Sequence, residues 1–144
     1  IAVVNRYNKQ KPIVGFVKNF GLKNGAIAST VAHDSHNIIV TGVSDADIVE
    51  AINLLMQSGG GLSAVSEGDK KVIPLPVAGL MSDRSCEEIG HDYADIDSMA
   101  KQMGATLRAP FMTLSFMALL VIPHFKIGDK GLFDAINFKL TTLE

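Results

Sequence analysis

Residues 31–37, Val31-Ala32-His33-Asp34-Ser35-His36-Asn37, place two of the chain's four histidines beside an aspartate, a serine and an asparagine. Imidazole titrates near neutrality and serves as acid, base or metal ligand. A His-x-x-His spacing with a carboxylate inside it can offer two nitrogens and an oxygen to one metal ion if the backbone bends. On an extended strand, residues three apart point to opposite faces, so chelation here requires a tight turn. His91 and His124 lie far along the chain, and no cysteine is close by. By residue type, Ser35, Asp34 and either histidine also match a hydrolytic triad. A triad needs side chains converging from separate elements, and no Gly-x-Ser-x-Gly elbow occurs in the chain. The segment is therefore not a self-sufficient catalytic centre. Two readings stay open. Asp34, Ser35 and Asn37 can tie a turn to its own backbone, or the segment can form a polar wall against a ligand held mainly by something else.

The flanking runs decide where such a wall would stand. Ala26 to Ala32 reads as a strand or a short helix; β-branched Thr30 and Val31 favour the strand. Asn37 to Thr41 reads as another strand, so the histidine segment sits at strand ends. Ile1 to Val4 and Ile13 to Val17 are further strands. A helix is predicted over about residues 44–58, capped by Ser44 with Asp47 three residues on, and stopped by Gly59-Gly60-Gly61. Ile48, Ile52, Leu55 and Met56 give it an apolar face. Triple glycine after a helix is an exit; a phosphate cradle needs glycines before one. Leu62 to Val65 is a strand, Glu67 to Lys70 a hairpin turn, and Lys71 to Val77 an edge strand or irregular segment, because Pro74 and Pro76 cannot donate to a ladder.

The second helix is predicted over about residues 84–103. Ser85 and Glu88 fit a capping box, and Ile89, Tyr93, Ile96, Ala100 and Met103 form the stripe. Its acids Glu88, Asp92 and Asp95 read as a solvated face. Phe111 to Leu120 fits either period. Val121 to Ile127 reads as extended, with His124 partly buried, Gly128 to Gly131 as a turn, Leu132 to Asp134 as packed, and Asn137 to Leu140 as a last strand. The methionines read as core filler. The fold class is α/β: short mixed strands in a sheet packed by two helices.

Composition narrows the function classes. The chain has 144 residues, 47% of them apolar and 19% charged, which is the balance of a single globular domain over residues 1–144. Net charge is -2, and Lys9, Lys11 and Lys18 are too few and dispersed for a nucleic-acid surface. The longest apolar run, Phe111 to Pro123, falls short of the about 20 residues of a membrane span, and no signal peptide is visible. Cys86 is the single cysteine, which excludes an intrachain disulfide and points to a reducing, cytoplasmic setting. It reads as a small packing group. The opening Ile1-Ala2-Val3-Val4 resembles a strand already under way, as in a piece of a longer protein.

Taken in order, several blocks resemble the C-terminal domain of bacterial and archaeal adenine deaminases, of the amidohydrolase superfamily. They are Gly15-Phe16-Val17, Phe20-Gly21-Leu22-Lys23-Asn24-Gly25-Ala26-Ile27-Ala28-Ser29, the 31–37 segment and Gly59-Gly60-Gly61-Leu62. Leu75-Pro76-Val77-Ala78-Gly79-Leu80-Met81-Ser82-Asp83, Pro110-Phe111-Met112-Thr113-Leu114-Ser115-Phe116 and Asp129-Lys130-Gly131-Leu132-Phe133-Asp134 complete the set. The resemblance implies a full-length enzyme that hydrolyses adenine to hypoxanthine and ammonia in purine salvage. It implies a (β/α)8 barrel upstream, holding manganese or iron that activates water. The barrel's His-x-His is absent from this chain, so no metal and no catalytic residue are expected within it. His33, Asp34, Ser35, His36 and Asn37 are the candidates for lining or closing the active site. The implied partners are adenine, the enzyme's own barrel domain and further copies in a homo-oligomer, with neither nucleic acid nor membrane. The alternatives are a purely structural or oligomerisation domain, or the domain of a related amidohydrolase with another substrate.

Overall fold

The computed structural model describes residues 1–143. Nine strands and three helices follow in the order β1 (Ala2–Val4), β2 (Ile13–Val14), β3 (Ala26–Ser29), β4 (Ile38–Gly42), α1 (Asp45–Gln57), β5 (Gly61–Ser66), β6 (Asp69–Pro74), α2 (Cys86–Gln102), α3 (Pro110–Phe116), β7 (Phe125–Gly128), β8 (Gly131–Asp134) and β9 (Lys139–Thr141). The first six strands form one sheet in the order β2-β1-β4-β3-β5-β6, and β7-β8-β9 form a small second sheet. Every pairing is antiparallel.

Both faces of the large sheet are covered, which explains the unbroken apolar runs in β3 and β4. Alternate side chains point to opposite faces. Ala26, Ala28, Ile38 and Val40 meet Ala51 and Leu55 of α1, whereas Ile27 and Ile39 pack with Ile96 and Met99 of α2 and Phe111 and Leu114 of α3. Small residues let α1 approach closely. A Cβ on Gly42 would stand 2.6 Å from the Ala26 Cβ and 2.8 Å from Ile48 Cγ1. Buried Ser63 donates to the Ala51 carbonyl at 2.8 Å, so its hydroxyl is satisfied beneath the helix.

The helix starts follow from local chemistry. The Ser44 hydroxyl accepts from the Asp47 N–H, and Ser85 and Glu88 form a complete reciprocal capping box. The ambiguous run after Arg108 is helical: Pro110 sits in the first turn, where its missing N–H costs nothing, and Phe111, Leu114 and Ser115 are buried. β6 is indeed an edge strand, and Pro74 at its end fits that position.

Several expectations are corrected. Thr30 to Ala32 lie beyond β3; the Thr30 N–H still donates to the Gly61 carbonyl, and its side chain bonds Gly61 and Gly79. Residues 121–124 form turns and bends, with β7 starting only at Phe125. His124 and Cys86 are exposed rather than packed. Met56, Met81 and Met112 are also exposed, whereas Met99 and Met103 do fill the core.

Candidate functional site

The histidine segment crosses from β3 to β4 as a compact turn. The His36 N–H donates to the Ala32 carbonyl at 2.7 Å and closes it. His36 itself adopts φ 52°, in the left-handed region that histidine tolerates better than most side chains. Asn37 is buried, and its Oδ1 accepts from the Arg6 N–H at 3.3 Å. The Tyr7 hydroxyl donates to the His36 carbonyl at 3.4 Å. The turn is thus held from outside by the segment that follows β1, and the self-tied turn accounts for only part of its polar groups.

The two imidazoles meet edge to face, with ring centroids 5.6 Å apart and planes at 66°. The other face of His33 stacks on Phe116, at the end of α3, at 5.3 Å and 30°. His36 Nδ1 is buried with no hydrogen-bond partner among the described residues. Asp34 and Ser35 are exposed at the tip of the turn.

His33, Asp34, Ser35 and Asn37 share a cleft of about 330 Å³ with Ala32, Leu120, Val121, Asp129, Phe133 and Phe138. His36 is not part of its wall; it backs His33 instead. The opposite wall comes from the small sheet and the loop after α3. The Asp129 carboxylate accepts from the Asn5 side-chain amide at 2.9 Å, which ties the β7–β8 turn to the end of β1. Phe116, Asp129, Phe133 and Phe138 are the site residues that sequence reasoning missed. Their distance along the chain from His33 left no signal by which periodicity could find them.

A larger cleft of about 430 Å³ lies on the other side of the Asn5–Lys9 segment, lined by residues such as Val4, Arg6, Ile38, Leu55 and Met56. No imidazole or carboxylate lines it, whereas His33, Asp34 and Asp129 line the smaller cleft. A hydrolytic metal centre takes at least three protein donors. No group of three or more His, Cys, Asp and Glu able to hold a metal occurs among the described residues. The loop therefore does not fit a resident metal ion.

The profile of the adenine deaminase C-terminal domain matches residues 1–139. The chain belongs to that family. It is 57% identical over 139 residues to an adenine deaminase of Sulfurovum sp. (strain NBC37-1), which covers 96% of this chain and 26% of the relative. It is 50% identical over 143 residues to the adenine deaminase of Methanothermobacter thermautotrophicus, 99% of this chain and 27% of the relative. Against the Salinibacter ruber adenine deaminase it is 48% identical over 141 residues, again covering 26% of the relative. This adenine deaminase C-terminal domain thus spans about a quarter of the length of the curated relatives it matches. Among the described residues of the domain, no helix is long and apolar enough to cross a membrane.

Proposed function

We propose that this domain works as part of an adenine deaminase that hydrolyses adenine to hypoxanthine and ammonia, and that its 31–37 turn lines or closes the purine site. One observation carries the reading: imidazole, carboxylate, hydroxyl and amide groups gather at the mouth of one cleft, in a family named for adenine deamination. Adenine presents ring nitrogens that accept hydrogen bonds and an exocyclic amine that donates them. Asp34 can accept from the amine, and His33 or Asn37 can donate to ring nitrogens. The Phe116 ring fixes the plane of His33, so the imidazole edge is pre-oriented toward the cleft.

Manganese or iron, with its power to activate water, would be held by the part of the longer protein that lies outside this domain. The residues described here bind, orient and shield; they complete a site whose hydrolytic centre is elsewhere. The 144-residue chain alone is accordingly expected to be inactive.

The test is steady-state turnover of adenine by the full-length enzyme with His36→Ala and, separately, Asp34→Ala. A fall in kcat or a rise in KM at unchanged melting temperature supports the reading. Wild-type kcat and KM in both variants would sink it. Loss of stability or assembly at unchanged kcat would instead favour a purely structural or oligomerisation role, for which the packing of His36 behind His33 is the motivating observation.

A further inference from the structure

The wall of the cleft facing the histidine turn does not end at the cleft. Phe133 lines it, and the Phe138 ring stands edge-on to Phe133 at 5.2 Å and 86°. Leu140 is the cross-strand partner of Phe133 in the β8–β9 ladder, so both occupy one face of the small sheet. Val121 closes the other side of the mouth. Phe138, Val121 and Leu140 are exposed by 71%, 64% and 55%, so most of this apolar rim lies in water. Scattered apolar residues need no explanation, but a contiguous rim around a polar cleft marks an interaction surface.

Charge narrows the occupant. The cleft wall carries the carboxylates of Asp34 and Asp129 and no lysine or arginine. Asn5 is the hydrogen-bond partner of the Asp129 side chain, and Asp34 has none among the described residues. A matching surface is apolar at its rim and offers cationic or donor groups at its centre, an arrangement that steers docking and fixes its register.

We propose that the face formed by Val121, Phe133, Phe138 and Leu140 is the seat for the rest of the polypeptide in the longer protein, which closes over the 31–37 turn. This inference rests on the functional reading above and names the partner of that same site. About three quarters of each relative's length lies outside the region matched by this chain, since the match covers 26–27% of them. That is ample chain to supply the covering surface. The rim is also continuous with the turn that the functional reading aims at the purine. Phe16, 91% exposed, lies outside this cleft and serves as the reference position.

The experiment is thiol labelling with a maleimide. Phe138→Cys and Phe16→Cys are each made in a Cys86→Ser background, in the 144-residue chain and in the full-length protein. Both positions are exposed in the domain, so the substitutions leave its core intact. Both should label at similar rates in the 144-residue chain. Position 138 should label at least about tenfold more slowly in the full-length protein than in the 144-residue chain, with the difference abolished in urea. A position-138 rate in the folded full-length protein equal to that in the 144-residue chain would overturn the docking. So would protection of position 138 in the 144-residue chain accompanied by dimerisation in sedimentation, which would make a second copy the occupant. Protection at position 138 with normal kinetics of the His36→Ala and Asp34→Ala enzymes would uphold the docking while the purine-lining role fails. The reverse pattern would do the opposite.

Discussion

His33 lies flat against Phe116, with ring centroids 5.3 Å apart and planes 30° from parallel. The contact joins the turn between β3 and β4 to the last residue of α3, and so couples the central strands of the large sheet to the helical layer. Phe116 is 38% exposed, hence its value lies more in the stack than in burial. Phe116→Leu keeps an apolar side chain and removes the flat partner. The expected cost is about 1 kcal/mol, read by urea denaturation of the domain. Imidazole resonances of His33 should broaden or move, while those of exposed His91 stay in place. In the full-length enzyme the same variant should weaken adenine turnover without loss of the fold. A stable variant with unmoved His33 signals would show that the stack holds nothing in position.

Thr30 is the buried knot behind that turn, 1% exposed. Its hydroxyl donates to the Gly79 carbonyl at 2.5 Å and accepts from the Gly61 N–H at 2.8 Å. One side chain therefore ties the end of β3 to the start of β5 and to the loop before α2. Arg6 reinforces the same point by donating to the Ala78 carbonyl at 2.5 Å. Thr30→Val has nearly the same shape but leaves a buried N–H and a buried C=O without their partner. The expected destabilisation is about 2–4 kcal/mol, the cost of two unsatisfied backbone groups. Thr30→Ser retains the hydroxyl and should cost only about 1 kcal/mol for the lost methyl. Urea midpoints at unchanged m-value measure both. A valine variant as stable as the serine one would show that the two bonds contribute nothing net.

How far the sequence foretold this structure depends on the range of the interaction. α1 and α2 were legible because their signals are local: the Ser44 and Ser85 caps, the Gly59 stop, and the stripe from Ile89 to Met103. β3 and β4 were legible as buried runs, because covering on both faces removes polar alternation. Phe111 to Leu120 was ambiguous by period, and Pro110 in the first helical turn resolves it as helix. Met56 fell on the apolar stripe of α1 yet is 64% exposed, since the helix is covered by the sheet on only part of that stripe. Within the site, the histidine turn itself was visible as a dense polar cluster. Its opposite wall was not. Phe133 and Asp129 reach it only because the small sheet folds back against β1 and β2, a long-range placement that no local pattern encodes. Sequence patterning also could not show that His36 backs His33 rather than facing the cleft, because that depends on one residue adopting positive φ.

The capping box of α2 makes an acid-dependent contribution that can be isolated. The Ser85 hydroxyl and N–H both donate to the Glu88 carboxylate, at 2.7 and 3.0 Å. These bonds favour the ionised form and hold the Glu88 carboxyl below its ordinary 4.5; the nearby Arg84 guanidinium adds to the effect. In the unfolded chain the group returns to the ordinary value. As pH falls, the unfolded state therefore takes up the proton first, and folding loses this contribution as pH passes down through the folded-state value. The contribution is fully present well above the ordinary value of 4.5 and fades as pH falls below it. Glu88→Gln keeps an acceptor for the Ser85 N–H but cannot titrate. Its melting temperature should be somewhat lower than wild type near neutrality and should converge with wild type in acid. Asp134 is a second carboxyl held below its ordinary value, chiefly by hydrogen bonds from Asn137. It is present in both proteins and cancels in the comparison. Parallel curves for wild type and Glu88→Gln across that range would show that the box gains nothing from the charge of Glu88.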